Sequence, residues 1–338
     1  MFYDLVRPLL FSLEPEHAHA FTLTWLRRAE RLGVLPSVGT LASQPVTLMG
    51  LRFPNRVGIA AGLDKNAVCV DAFGALGVGC VEVGTITPRP QSGNPKPRVF
   101  RLLEAQALIN RMGFPNDGME VIAQRLSESR FPGIRGANIG KNANTPLENA
   151  TQDYLACLRK LAPCADYITI NVSSPNTAGL RSLQAAEQLR PMLEALLEER
   201  GRLLPQLGRS LPLLVKLAPD LNDDDLQSIA ALLVELSIDG VIATNTTLSR
   251  PDGLGSLGAQ TGGLSGRPVH ALSLAVVTKL RRLLGPSFPI VGVGGIFSGA
   301  DAVEMRRAGA DLVQIYTGLI YRGPGLIGEI LRAMQQAA

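Results

Sequence analysis

The chain has 338 residues, of which 46% are hydrophobic and 18% charged, so it can bury a large core as one big domain or two ordinary ones. The net charge is +4, but Lys and Arg are scattered among acidic residues, and aromatic residues make up only 5%. Because nucleic-acid binding needs a clustered basic surface interleaved with aromatic side chains, this composition argues against a nucleic-acid partner.

Cysteine and histidine are too few and too scattered to predict a metal site. No cysteine pair has metal-binding or redox spacing, and the apolar surroundings of Cys69, Cys80 and Cys164 indicate buried, reduced thiols of a cytoplasmic protein. His17 and His19 lie two residues apart and cannot share a helix face, so zinc is not expected there. The side chains left for acid–base chemistry are therefore Ser, Lys, Thr or a carboxylate.

No segment has the roughly 18 consecutive apolar residues of a membrane span. Asp4, Arg7 and Pro8 interrupt the apolar start of the chain, so no signal peptide is expected.

Residues 1–35 predict two short helices, separated near Pro15 and ended by Gly33. In the second helix Phe21, Trp25 and further apolar residues recur with helical spacing, which predicts an apolar stripe. One interpretation is a helical cap docked on the main domain, and the other is an amphipathic hairpin that dips into a membrane surface. Acidic residues balance the arginines, so membrane attraction would be mainly hydrophobic.

Residues 37–56 predict a short hairpin that turns at Met49 and Gly50, and a regular rhythm follows. Eight apolar runs predict strands, at 57–62, 78–85, 137–140, 166–173, 211–219, 239–246, 289–296 and 311–318. Helical stretches follow these runs, at 147–162, 183–200, 223–237, 269–284, 299–308 and 325–335. This alternation predicts an α/β fold, a (β/α)8 TIM barrel with an N-terminal two-helix extension. An open doubly wound sheet is the alternative, but no G-x-G-x-x-G fingerprint follows a first strand.

Two long insertions, residues 88–116 and 247–267, follow the second and sixth strands. Both lie after the carboxyl ends of strands, which is the catalytic face of such barrels. The first is too apolar for a free linker, and we expect a structured lid or wall.

The segment 166–176 predicts the centre of the site. Ile168 and Ile170 alternate with Tyr167 and Thr169, which is the period of a strand with one face toward helices and the other inward. Ser-Ser-Pro-Asn then breaks the strand. Taken alone it could be an ordinary turn, but strands that run into fixed polar loops also build active sites.

Polar residues recur at the other strand ends and predict a ring of hydrogen-bonding groups around one mouth. The ring comprises Asp64, Lys65, Asn66, Thr85, Asn138, Asn171, Lys216, Thr244, Asn245 and Thr246. Amides that donate and accept together, with two lysines, suit a planar, partly anionic ligand. The glycine-rich turns after the last two strands predict a phosphate site on backbone N–H groups.

Motifs along nearly the whole chain resemble dihydroorotate dehydrogenase, namely AGLDKN, VGTITPRPQSGNPKPRVFR, INRMGF, INVSSPNT, LVKLAP, TNTT, GGLSGRP, VGVGGI and QIYTG. The resemblance is to the membrane-associated, quinone-dependent class 2. Ser174 stands where the cytosolic class carries a cysteine base, and residues 1–40 resemble the N-terminal helical extension of class 2.

The resemblance implies that residues 41–338 form an FMN-binding barrel that oxidises (S)-dihydroorotate to orotate in pyrimidine (UMP) synthesis. The residues that it assigns to FMN are Ala61, Gly62, Leu63, Asp64, Lys65, Thr85, Asn138, Asn171, Lys216, Thr244, Gly266, Gly295, Tyr316 and Thr317. Those that it assigns to the substrate are Lys65, Asn110, Arg111, Met112, Gly113, Phe114, Asn171, Asn176, Asn245 and Thr246. Ser174 would be the catalytic base, helped by a nearby lysine and with Thr177 as a proton relay.

The resemblance also implies a membrane quinone as electron acceptor, entering between the N-terminal helices. Arg101 and Tyr316 resemble the quinone-contacting positions. The expected location is peripheral, on the cytoplasmic face of the cell (inner) membrane.

Overall fold

The strands follow the predicted rhythm closely in a computed structural model that describes residues 2–35, 44–177 and 179–337. In chain order they are β1 (Val46–Leu48), β2 (Leu51–Phe53), β3 (Val57–Ile59), β4 (Cys80–Ile86), β5 (Val99–Leu102), β6 (Ala107–Asn110), β7 (Ile134–Ile139), β8 (Tyr167–Asn171), β9 (Leu213–Leu217), β10 (Gly240–Ala243), β11 (Gly263–Gly266), β12 (Ile290–Val293) and β13 (Leu312–Ile315).

Eight of these strands pair in parallel and close on themselves in the order β3, β4, β7, β8, β9, β10, β12, β13. Each corresponds to one of the eight predicted runs, so the (β/α)8 barrel is confirmed. Closure removes every free edge from the sheet and gathers all eight carboxyl ends at one mouth.

The helices that surround the barrel and precede it are α1 (Phe2–Ser12), α2 (Pro15–Arg31), α3 (Val70–Ala75), α4 (Gly118–Glu128), α5 (Ala150–Leu161), α6 (Ala186–Leu207), α7 (Asp223–Glu235), α8 (His270–Leu284), α9 (Gly299–Arg307), α10 (Thr317–Arg322) and α11 (Gly325–Gln336). The prediction ended α6 at residue 200, and this end is wrong. Although Pro191 and Pro205 lie within the helix, Leu203, Leu204 and Leu207 pack against the core and hold its last two turns. The side chains of Asn222 and Ser298 cap the starts of α7 and α9.

The alternation in β8 separates two apolar layers. Ile168 and Ile170 pack outward, in the large core between the barrel and its helices. Tyr167 faces inward, in a smaller core with Leu214 and Ile242 that fills the bottom of the barrel. The interior above this plug is polar, which leaves the mouth open for a site.

The two insertions meet in one small sheet. β5 and β6 form a hairpin from the first insertion, and β11 from the second pairs with β6. The expected wall is therefore structured, and it draws on both insertions. β1 and β2 form the hairpin predicted around Met49 and Gly50.

The two N-terminal helices lie against the barrel through ionic and polar contacts. Glu16 in α2 receives hydrogen bonds of 2.9–3.1 Å from the buried guanidinium of Arg98. Arg101 donates to the carbonyl oxygens of Phe11 and Leu13, and Tyr3 donates to the carbonyl of Ile320. These contacts fix the helices as a cap on the barrel. The boundary predicted at residue 40 lies outside the described residues.

Within the described ranges, no helix combines the length and apolar character that crossing a bilayer requires.

Candidate active site

The mouth of the barrel opens into a cavity with an empty volume of about 1030 Å³. The structure brings most of the predicted site residues to its wall, namely Ala61, Gly62, Lys65, Thr85, Asn110, Met112, Gly113, Phe114, Asn171, Ser174, Asn176, Lys216, Thr244, Asn245, Thr246, Gly266, Gly295, Tyr316 and Thr317. They come from nearly every strand end, which is why closure of the barrel is needed to assemble them.

Four of the residues assigned to FMN or the substrate lie outside the cavity wall, as do Asn66 of the predicted ring and the proposed relay Thr177. Asp64 is fully buried, and its carboxylate accepts backbone hydrogen bonds from Asn66, Val68 and Cys69, so it shapes the turn that carries Lys65. Burial raises the pKa of Asp64 more than these hydrogen bonds lower it. Leu63 lines a second cavity, described below.

The remaining two residues assigned to FMN or the substrate are Asn138 and Arg111. Asn138 sits behind the wall, where it accepts a hydrogen bond from Thr85. The guanidinium of Arg111 turns away over the ring of Phe100, 4.6 Å from its centroid, and donates to Gln260 and to the carbonyl of Pro97.

Ser174 lies on the loop that follows β8, and its side chain is buried at the cavity wall. Its Oγ accepts a hydrogen bond of 3.2 Å from the backbone N–H of Asn176. Arg181 ties this loop to the next one, because its guanidinium donates to the carbonyl oxygens of Ser173 and Thr246 and pairs with Asp220. The hydroxyl is therefore held in place from two sides.

Lys65 supplies a positive charge to the wall of the same cavity. Its Nζ donates to the carbonyl oxygen of Gly62 at 2.6 Å. Burial lowers the pKa of Lys65 to about 8, although the negative charges of Glu16 and Asp64 oppose this shift. An ammonium group with so few partners is well suited to bind a carboxylate.

A continuous chain of amides and hydroxyls lines one side of the cavity. Asn171 donates to Thr85 at 2.8 Å and to Asn138 at 3.1 Å, and its oxygen accepts from Ser173 at 3.1 Å. Asn245 donates to the same Ser173 hydroxyl at 2.9 Å. The Gly84–Thr85 and Ala243–Thr244 peptide bonds at this wall are cis.

On the opposite rim, Asn176 donates to Asn110 at 3.2 Å. Neighbouring Phe114 is a non-glycine residue in the left-handed region, with a φ of 55°. Such strain concentrates at functional sites.

Glycines bring the last two loops close to the starts of helices at the far end of the cavity. Any side chain at Gly295 would clash with His270, the first residue of α8, and one at Gly266 would clash with the backbone of Gln106. Both glycines line the cavity, and this close-packed backbone is where we expect a phosphate to bind.

Sequence reasoning missed several residues that face or support the site. Gln314 lines the cavity from β13, and Glu82 lies below it, inside the barrel. The signal for both was available, since each is a polar residue in an apolar strand at an inward-facing position. Arg181 carried no comparable signal, because its role depends on two loops that meet only in the fold.

A second cavity lies under the N-terminal helices, with an empty volume of about 1520 Å³. Its lining is mostly apolar and includes Leu10, Leu26 and Phe73. Lys65, Met112 and Tyr316 line both cavities, so the two adjoin. His19 also lines the second cavity, and burial lowers its pKa to about 3, with a smaller effect in the same direction from the charge of Lys65. Among the described residues no cluster of His, Cys, Asp and Glu could hold a metal ion.

Comparison with known proteins agrees with this geometry. Residues 43–337 match the family described as dihydroorotate dehydrogenase. A Chromobacterium violaceum protein named dihydroorotate dehydrogenase (quinone) is 56% identical over 338 residues, which cover 99% of this chain and 98% of that protein. An Acinetobacter baylyi protein of the same name is 52% identical, with 99% and 100% covered.

A solved structure is also similar over nearly the whole chain. The crystal structure of DHODH in complex with ferulenol from Eimeria tenella superimposes with a TM-score of 0.89 at 38% identity, covering 97% of this chain and 94% of that one. The chain therefore belongs to the dihydroorotate dehydrogenase family.

Proposed function

We propose that the protein oxidises (S)-dihydroorotate to orotate with FMN as cofactor and passes the electrons to a membrane quinone, in de novo pyrimidine synthesis. The observation that carries this proposal is the wall of the first cavity. That wall carries two lysines, Lys65 and Lys216, together with the buried hydroxyl of Ser174 and a set of asparagines. The family and the quinone-type names of its relatives support the same conclusion.

The residues present fit FMN. Gly266, Gly295 and Thr317 would hold its phosphate on backbone N–H groups. Thr85, Asn171 and Lys216 would hold the polar edge of its ring system. The Oε1 atom of Gln314 is buried at the same wall without a hydrogen-bond partner, as expected where a bound molecule completes the site. When bound, FMN accepts the hydride that leaves C6 of the substrate and gives up its electrons to the quinone.

The substrate has a carboxylate and a cyclic imide, and the chain offers partners for both. The ammonium group of Lys65 would bind the carboxylate, while Asn110, Asn176 and Asn245 would pair with the ring edges. Thr246 Oγ1 is buried without a hydrogen-bond partner and faces this region, so a polar ligand would satisfy it. An unpaired buried hydroxyl costs about 1–3 kcal/mol, which substrate binding would recover.

Ser174 would remove the proton from C5 of the substrate. A free serine hydroxyl is a weaker acid than tyrosine, whose pKa is about 10, so the loop must activate it. The N–H of Asn176 already points at Ser174 Oγ, and the charge of Lys65 favours a negative oxygen on the same wall. Thr177, buried three residues on, is the candidate relay to water.

The quinone would enter through the second cavity. Its apolar lining, its position under the N-terminal helices and its shared wall with the first cavity support this route. Arg101 and Tyr316 line it, and the neutral imidazole of His19 could donate a hydrogen bond to a quinone carbonyl.

The helix pair would lie on the inner membrane as a peripheral anchor. Phe21 and Trp25 in α2 are about half exposed, at 50% and 52%, although large apolar side chains usually pack inward. Arg28 lies 5.2 Å from the Trp25 ring centroid and adds positive charge beside this surface. Apolar residues flanked by arginines are typical of helices that lie in a membrane interface.

The test is dihydroorotate-dependent reduction of a quinone by the purified protein, followed as orotate formation and quinone loss in equal amounts. We expect turnover with quinone and none with fumarate or NAD. Turnover with NAD or fumarate but not with quinone would contradict the proposed acceptor while leaving the oxidation step intact.

A further inference from the structure

Glu82 is a carboxylate in the barrel interior to which the proposed reaction assigns no role. Glu82 lies at an inward position of β4, two residues above Cys80 of the apolar plug, and its side chain is fully buried. Burying a carboxylate costs several kcal/mol unless hydrogen bonds or opposite charge compensate. A carboxylate held there needs a physical reason.

Four side chains donate hydrogen bonds to Glu82. Oε1 accepts from Asn138 at 2.9 Å, and Oε2 accepts from Tyr167, Thr169 and Gln314 at 3.0, 3.2 and 2.9 Å. Oε2 therefore takes three of these hydrogen bonds and Oε1 takes one. The Tyr167 ring reaches Glu82 across Gly136, where any side chain would collide with it. All four side chains around Glu82 therefore act as donors to it.

A directed chain of hydrogen bonds runs through the cavity wall and ends at Glu82. The backbone N–H of Ser173 can only donate, so the atom of Asn171 that it contacts must be the oxygen. The nitrogen of Asn171 then faces the oxygen of Asn138, and the nitrogen of Asn138 faces Glu82. Only an acceptor can terminate this chain, and the Glu82 carboxylate provides it.

Glu82 also acts on the buried lysine of the cavity. Lys216 lies beside Asn171 in the barrel, on the neighbouring strand. Burial lowers the pKa of Lys216, and the negative charge of Glu82 is the influence that opposes this shift. The two charges thus favour each other inside a medium of low polarity.

We propose that Glu82 is a positioning residue for FMN, which orients the amides of Asn138 and Asn171 and keeps Lys216 positively charged. The inference rests on the proposed function, since Asn171 and Lys216 are among the residues that would hold the cofactor. Glu82 itself lines neither cavity.

The other titratable groups near this pair do not share its role. Tyr167 and Cys80 face Glu82, and burial together with the Glu82 charge raises the pKa of each, so both stay neutral. At the mouth, Lys65 titrates near pH 8, and burial with a smaller effect of Glu16 raises the pKa of Tyr316 to about 12. Measurements in a Lys65→Met background therefore exclude the titration of Lys65 and leave that of Lys216.

The test is the reduction potential of bound FMN as a function of pH, between about pH 6 and pH 10. A charged Lys216 stabilises anionic reduced flavin, so the potential falls as the pH rises through the pKa of Lys216. We expect Glu82→Gln to move this fall to lower pH by about one unit or more, a tenfold change in acid strength. In Lys216→Met this fall in potential should be absent, which assigns it to Lys216.

Two matched variants separate charge from packing. Glu82→Asp keeps the charge, and Tyr167→Phe removes one donor to the same oxygen, so in both the fall should stay near its wild-type pH. An unchanged profile in Glu82→Gln, or an equal shift in all three variants, would overturn the proposal. A protein that binds no FMN at all would instead contradict the proposed function.

If Glu82→Gln retains too little FMN for a potential, thermal unfolding of the apoprotein tests the same charge pair. Removing one member of a buried pair is more damaging than removing both. We expect Lys216→Met to recover part of the midpoint lost in Glu82→Gln. If the unfolding midpoint of the double variant falls by the sum of the two single-variant decreases, the proposal is contradicted.

Discussion

In the proposed mechanism, the reactivity of Ser174 comes from what surrounds it. The hydroxyl is buried at the cavity wall and receives the N–H of Asn176, while Arg181 holds the loop on which it lies. None of these contacts deprotonates it in the resting protein. They prepare an oxygen that can take a proton when the substrate is in place, which is how a weak acid serves as a base.

Ser174→Ala should therefore keep FMN bound but slow its reduction by dihydroorotate by about 10²–10⁴-fold, the usual contribution of a positioned base. The measurement is anaerobic stopped-flow absorbance of the flavin. Ser182→Ala is the matched control, since its exposed hydroxyl bonds only to the Gly179 carbonyl nearby. Reduction at the wild-type rate in Ser174→Ala would remove this residue from the mechanism.

Lys65 makes substrate affinity depend on pH. Its pKa is about 8, so the side chain is charged below that pH and loses its charge above it. Affinity for the orotate anion should consequently fall as the pH rises through about 8, approaching tenfold per pH unit. Titration of orotate against the flavin spectrum measures this directly.

Lys65→Met should bind orotate weakly at every pH and show no such fall, whereas Lys279→Met, on the surface of α8, should behave like wild type. A Lys65→Met protein with the wild-type pH dependence would assign the titration to another group.

At this scale the sequence predicts part of the site from polar residues at strand ends and the rest from the family resemblance, but it cannot give the direction of each side chain. Arg111 lies in a motif with Asn110 and Met112, yet only its neighbours line the cavity. Its guanidinium finds a better partner in the Phe100 ring. Glu82 was missed because it lies within a strand and belongs to no loop motif. Its significance comes from its burial inside the closed barrel.

Among the secondary-structure elements, the barrel strands were predictable because each is a short, continuous apolar run before a polar end. The strands β5, β6 and β11 were not, because they lie in insertions rich in Pro, Gly and Arg. Their pairing joins segments more than 150 residues apart, such as Ile109 and Leu264, and no local pattern reports that contact. The same holds for the second half of α6, which packing stabilises despite its prolines.

The pair α1 and α2 has one face on the barrel and one face free. Replacing the half-exposed Trp25 with Glu should lower affinity for liposomes by at least about tenfold, because burying a large apolar side chain contributes about 1.5–3 kcal/mol. Flotation with vesicles of bacterial lipid composition is the measurement.

Leu283→Glu, at a side chain of α8 that is 42% exposed, is the matched control and should leave binding unchanged. Flavin reduction should be normal in both variants. Equal binding by Trp25→Glu and wild type would contradict the membrane role of this surface.

In the proposed function, the two cavities and the helix pair together form one route for electrons across the molecule. The substrate cavity and the apolar cavity share Lys65, Met112 and Tyr316, and Glu16 of α2 influences the charge of Lys65. In that proposal the helix pair belongs to the catalytic unit and also provides the surface for the membrane. The adjoining cavities would let a polar acid and a long apolar quinone react at one cofactor without meeting in solution.

The central claim is that this cavity holds a flavin and transfers two electrons to it from dihydroorotate. The most direct measurement is the visible spectrum of the purified protein, before and after dihydroorotate is added without air. We predict a yellow protein whose flavin bands bleach and whose colour returns when quinone is supplied. A colourless protein, or flavin bands that dihydroorotate leaves unchanged, would contradict the account.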